Sequence, residues 1–190
     1  MSQLSLEQKK YLLGLAREAV LTFLQKGEHL KPKTDDKTLW EKRGAFVTLK
    51  VKGELRGCIG YPLPYKPLVE TIVDVAIAAA TQDFRFAPLR LEELSAVNIE
   101  ISVLSLPRPV EKTDEVQVGR HGIIVSRGTS RGLLLPQVPV EYDWDLETYL
   151  RHGCLKAGLE PDAWKRGAKI EVFTAEVFSE QELGLIPGKA

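Results

Sequence analysis

Cysteine is scarce: Cys58 and Cys154 are the only two in 190 residues. They share no CxxC spacing and have no paired histidines nearby, which argues against a disulfide framework and against a structural zinc site, so no metal is expected. An excess of either charge is also missing, because 26 Lys and Arg balance 26 Asp and Glu. Proteins that depend on phosphate-backbone attraction usually carry a basic excess, so nucleic acid is disfavoured as a partner. No run approaches the ~20 apolar residues of a membrane span. The first residues, "MSQLSLEQKKYLLGLA", are charged and amphipathic rather than signal-like, and the expectation is a cytoplasmic protein with no membrane partner. Ser-His-Asp order, a P-loop, a GxGxxG fingerprint and HExxH are all absent. A radical-SAM cluster needs three closely spaced cysteines, which this chain cannot supply. No cofactor is implied, and there is no internal repeat or low-complexity linker.

What is present suits one globular domain with room for two lobes. A chain this long buries about 70% of its unfolded surface, and its 44% hydrophobic and 27% charged residues are ordinary. Ser5 to Lys26 reads as a helix, with a Ser5/Gln8 capping box, apolar residues at helical spacing and Gly27 as the stop. Glu28 to Gly44 reads as a polar loop. "AFVTLKV" and "ELRGCIGY" flank Lys52-Gly53, the signature of a β-hairpin. Pro67 suits the first turn of a helix that runs from Leu68 to Ala80 and is apolar nearly all round. Leu91 to Leu94 makes one helical turn. "VNIEISVL", "GIIVS" and "GLLLPQV" read as strands, Asp145 to Ala157 as an amphipathic helix, and "AKIEVFTAEVF" as one late strand. Irregular alternation with a clear hairpin predicts an α+β fold with a mainly antiparallel sheet flanked by helices.

"GELRGCIGY", Gly53 to Tyr61, is the stretch that a core strand does not need. Alternation puts Leu55, Gly57 and Ile59 on one face and Arg56, Cys58 and Gly60 on the other, with neighbours on a face ~7 Å apart. A guanidinium beside a thiol favours the nucleophilic thiolate. Gly57 and Gly60 weaken a strand and mark a bulge or a close approach by a ligand or another chain. Against this, unpaired cysteines are commonly small buried hydrophobes, and Arg56 could equally face an acidic neighbour at the surface.

Other candidates carry the same two readings. Asp83 and Arg85 sit in the loop "TQDFRFAPL", as binding groups or as an ion pair fixing the loop, with Phe86 and Leu89 as its apolar anchors. His121, between glycines, is an acid or base, or a residue tolerating an unusual turn. Gln137, after Pro136, orients a polar ligand or satisfies backbone groups near Pro136 and Pro139. Cys154, on the apolar side of its helix, reads as core.

"LRGCIG", Leu55 to Gly60, resembles the signature of the AMMECR domain family. "GAFVTL", "DFRFAPL", "EISVLS", "HGIIV", "LLPQV" and "KAGL" resemble the family in the same order, so the likeness spans nearly the whole chain. It implies a single domain over 1–190 with two subdomains, the second smaller, and with the signature strand near the cleft between them. It also implies partners of the Memo type and the radical-SAM type, working jointly on one substrate, and it names no reaction. The resulting expectation is a ligand or substrate cleft with Cys58 as the chemical group. Arg56, Gly57, Gly60, Asp83, Arg85, His121 and Gln137 would bind a small molecule or a partner segment there. The alternative is a non-catalytic adaptor that docks a partner in the same cleft.

Overall fold

The computed structural model describes residues 3–185. The chain forms two compact units, one of residues up to Leu104 together with those from Glu176, the other of Ser105–Ala175.

The larger unit begins with helix α1, Leu6–Lys26. Ser5 Oγ accepts from the Gln8 amide while Gln8 Oε1 accepts from the Ser5 amide, and Gly27 closes the helix at φ 70°. The loop to Gly44 is less irregular than predicted, because Lys37–Trp40 forms a 3₁₀ turn that buries Leu39. Strands β1, Ala45–Val51, and β2, Glu54–Tyr61, meet at Lys52 and Gly53, whose φ values of 55° and 86° make the left-handed pair a two-residue hairpin turn needs. Helix α2, Leu68–Thr81, buries every residue except Glu70, Asp74 and Thr81. Pro67 precedes the helix as its N-cap instead of entering its first turn. A 3₁₀ turn at Leu91–Ala96 leads into β3, Val97–Leu104.

β1 lies antiparallel between β2 and β3. Ala45, Val47 and Leu49 of β1 and Ile99, Ile101 and Val103 of β3 point to the side covered by α1 and α2, where they are buried. Alternation then sends Phe46, Thr48 and Lys50 of β1, with Asn98, Glu100 and Ser102 of β3, to the opposite, half-buried face.

The smaller unit contains β4, Arg108–Pro109; β5, Gly122–Arg127; β6, Ser130–Leu134; α3, Val138–Glu141; α4, Leu146–Lys156; and β7, Lys169–Phe173. Its sheet order is β4-β7-β5-β6. Asp145 caps α4, and Tyr149, Leu150 and Cys154 of α4 join Ile123, Val125 and Ile170 in one apolar cluster.

One predicted strand is really two. "AKIEVFTAEVF" breaks at Thr174: β7 belongs to the smaller unit's sheet, whereas β8, Ala175–Ser179, completes the order β2-β1-β3-β8. Thr174 N–H donates to Ser105 Oγ at 3.0 Å and Ser105 N–H donates to Thr174 O at 2.9 Å, so these bonds stand where the ladder changes sheet. Periodicity reports a strand but not which neighbour it will find. The expected α+β class, with antiparallel pairing and flanking helices, is what the chain forms.

Candidate functional site

β2 is an edge strand, and one side of its backbone would be open without the loop after α2. Asp83 Oδ2 accepts the Cys58 amide at 2.8 Å, and Arg85 Nη2 reaches the Cys58 carbonyl at 3.4 Å. Arg85 also donates to both carboxylate oxygens of Asp83, at 2.9 and 2.7 Å. The pair thus stands in for a neighbouring strand at one residue. Asp83 is buried, and its bonds from Arg85 hold it well below the usual carboxylate range. The same bonds raise Arg85 above its ordinary value. Leu89 anchors the loop as expected: it is buried and its amide donates to Ala80 O. Phe86 lies under the Arg85 guanidinium, 5.6 Å from ring centroid to Cζ.

Strict alternation fails at Arg56. Leu49 pairs with Gly57 but Lys50 pairs with Leu55, which leaves Arg56 as the extra residue of a β-bulge. The bulge turns Leu55 outward, 40% exposed, where alternation had placed it in the core. It also takes Arg56 out of the row with Cys58. The guanidinium donates to Glu93 at 3.2 and 3.3 Å and to Ala87 O at 2.9 Å, tying the far end of the same loop to β2. The acidic neighbour is therefore real, and Arg56 is not the cation set beside the thiol.

The glycines have packing causes. A Cβ on Gly57 would lie 2.1 Å from Ala79 O, so the chain that approaches Gly57 closely is α2 itself. The small residues Ala78 to Ala80 allow that approach. A Cβ on Gly60 would strike the ring of Phe46, its cross-strand partner, at 2.2 Å. In both places the chain's own atoms fill the volume where a ligand had been expected.

Cys58 remains half-buried on the face away from α2. Its Sγ lies 3.2 Å from Thr48 Oγ1, and either atom can be the donor. Thr48 pairs with Cys58 on one side and Glu100 on the other, so a thiol, a hydroxyl and a carboxylate form one row across three strands. Lys50 Nζ meets Glu100 at 2.8 Å. Sequence reading missed Thr48, Glu100 and Glu93. "VTLKV" and "EISVL" look like ordinary strand, and only the register brings their polar sides to Cys58.

His121 and Gln137 belong to the smaller unit, whereas Cys58, Asp83 and Arg85 belong to the larger. His121 is buried. Its Nδ1 accepts the Gln117 amide at 3.1 Å inside a turn, while its carbonyl accepts from Tyr149 Oη. Burial, with Arg108 and Arg120 adding to it, lowers its pKa. Gln137 is exposed and N-caps α3 without a side-chain capping bond; its carbonyl, not its amide group, accepts from Val140 and Glu141. Cys154 is fully buried, and burial pushes its thiol up. Among the described residues no cluster of three His, Cys, Asp or Glu could hold a metal, and no helix is long and apolar enough to cross a membrane.

An α+β chain of two four-stranded sheets, with a latched cysteine strand at the edge of one, is the class that fold and site define. The chain belongs to the AMMECR1 family, whose pattern it matches over residues 13–178. It is 50% identical to a protein of Methanopyrus kandleri over 190 residues, covering 95% of this chain and 92% of the relative. A Methanocaldococcus jannaschii protein is 44% identical over 191 residues, covering 96% and 94%. The crystal structure of an uncharacterised protein from Pyrococcus horikoshii superposes with a TM-score of 0.76 at 45% identity, over 90% of each chain.

Proposed function

We propose that the protein binds a small molecule or a partner segment along the Cys58–Thr48–Glu100 row, and acts with Memo-type and radical-SAM proteins in one modification or biosynthetic step. The observation that carries this reading is the contact between a half-buried Cys58 thiol and the Thr48 hydroxyl, 3.2 Å apart, on a strand whose backbone is locked by Asp83. A locked backbone fixes where the thiol points, and the hydroxyl gives it a donor or acceptor. The partners are those the family resemblance implies.

A second reading has its own support. Phe84 is 95% exposed on a loop tied down at Asp83 and, through Arg56, at Ala87 and Glu93. A large apolar side chain held out by a rigid loop suits an adaptor that docks a partner. One experiment separates the two: co-expression with the Memo-type and radical-SAM proteins of the same genome, co-purification, and mass spectrometry of any bound small molecule. The site reading expects Cys58→Ser to lose the bound molecule while Phe84→Ala keeps it. Loss of the partner proteins in Phe84→Ala, with no small molecule in any preparation, replaces it with the adaptor reading. Timed alkylation with peptide mapping adds a check. Cys58 should label well before Cys154, and equal protection of both thiols removes the basis for the site.

A further inference from the structure

A cleft of about 530 Å³ lies within the smaller unit, between the chain that leaves β4 and the start of β7. That volume is within the range of small-molecule sites. The cleft exists because β4 stops after two residues. Arg108 and Pro109 pair with Val172 and Glu171 of β7, and Val110 N–H still donates to Ile170 O at 3.1 Å. The next two amides turn away. Those of Glu111 and Lys112 both donate to Glu115 Oε1, at 2.9 and 3.0 Å, and a 3₁₀ turn at Thr113–Glu115 carries the chain off.

Two donors on this cleft lack acceptors. In an antiparallel ladder the N–H and C=O of one residue face the same neighbour. Ile170 offers its carbonyl to Val110, so its amide faces that side too, where among the described residues no acceptor meets it. Trp164 also lines the cleft, and its Nε1 is buried without a partner among the described residues. A buried N–H left without an acceptor is costly. The side chains of Val110, Ala168 and Ile170 add apolar lining. Of the charged residues on the cleft, Glu171 is met by Arg131 at 3.3 Å, which leaves Lys112 and Lys169 against Glu111.

We propose that this cleft binds a small organic carboxylate with an apolar body. The carboxylate accepts from the Ile170 amide and from Trp164 Nε1, Lys112 and Lys169 supply the opposite charge, and the apolar part lies against Val110 and Ala168. Two lysines against one free glutamate suit a monoanion. An extended peptide adding to the edge of β7 fits less well, because strand addition needs a run of open backbone groups. Here the run breaks after Ile170, since the Ala168 amide already donates to Ala163 O at 3.1 Å. This inference does not rest on the reading of Cys58, which belongs to the larger unit.

The test is an NMR titration of the full chain at constant ionic strength, read at the Ile170 amide and the Trp164 indole N–H. Sodium benzoate and sodium isovalerate are the probes, benzamide and isovaleramide their uncharged counterparts, and sodium chloride the control. Saturable shifts of both resonances are expected with at least one carboxylate and with neither amide. Lys169→Glu reverses an exposed charge, so it should leave the melting temperature unchanged and weaken the carboxylate at least about tenfold. Three results overturn the site: no saturable shift at either resonance with either carboxylate, an equal response to the uncharged amides, or unchanged affinity in Lys169→Glu. If Lys169→Glu does not fold, the carboxylate and amide arms on the wild type decide alone.

Discussion

The edge of β2 and the turn before β5 each join glycines to a polar residue, and they use them differently. At β2, Asp83 and Arg85 return from a loop 25 and more residues away to bond the backbone of Cys58. Arg56 reaches 37 residues on to Glu93. At the turn, the Nδ1 of His121 bonds only four residues back, to Gln117. The first arrangement fixes a thiol by long-range contacts; the second closes on itself. Long-range polar contacts that converge on one strand define a candidate site here, and local ones define a turn.

The sharpest way to break the comparison is at Gly57. Gly57→Val places carbon against Ala79 O, where neither backbone can yield cheaply, and should cost on the order of 3 kcal/mol. Gly14→Ala, with open space around its Cβ on α1, should instead stabilise by about 1 kcal/mol. Urea melts of both variants check this. A Gly57→Val protein as stable as wild type would mean that α2 does not pack against β2 as described.

Asp83→Ala comes next. It orphans the Cys58 amide and leaves Arg85 unpaired, a loss of about 1–3 kcal/mol. The effect depends on pH in a definite direction. Asp83 is depressed in the folded state, so its stabilisation is complete above the ordinary aspartate pKa of ~3.9 and is lost as pH falls through the lower folded value. Melts from pH 7 down to pH 2 should show the wild-type advantage over Asp83→Ala shrinking only at the acid end. An advantage that vanishes already by pH 6 contradicts the ion pair.

Arg56→Ala should cost less, about 1 kcal/mol, since its ion pair is partly exposed. Lysine cannot make the fork to Glu93 together with the bond to Ala87 O, so Arg56→Lys should recover only part. Thermal melts decide; full recovery by lysine would reduce Arg56 to a point charge.

The smallest effect is expected at His121, whose burial, with Arg108 and Arg120 adding to it, holds its pKa below the ordinary histidine value. Below the ordinary histidine pKa of ~6.5 the unfolded chain takes up a proton that the folded chain resists, so this residue destabilises the fold as pH falls. His121→Gln should therefore flatten the loss of stability between pH 7.5 and 5.5. An unchanged pH profile would show that His121 is free to protonate in the folded protein.

Local signals in the chain determined the Ser5/Gln8 cap, the Lys52-Gly53 turn, the apolar α2, and the pairing of Asp83 with Arg85. Each rests on residues a few positions apart, where propensity and sterics act without help. The hexapeptide "LRGCIG" pointed to the right family. What it could not carry was the bulge at Arg56, which overrode the period of two, or the causes of Gly57 and Gly60, which lie in Ala79 and Phe46. Only the tertiary structure decided that "AKIEVFTAEVF" would divide between two sheets and that Thr48 and Glu100 would share a row with Cys58. These outcomes depend on strand register and on contacts between residues far apart in the chain, and local sequence fixes neither.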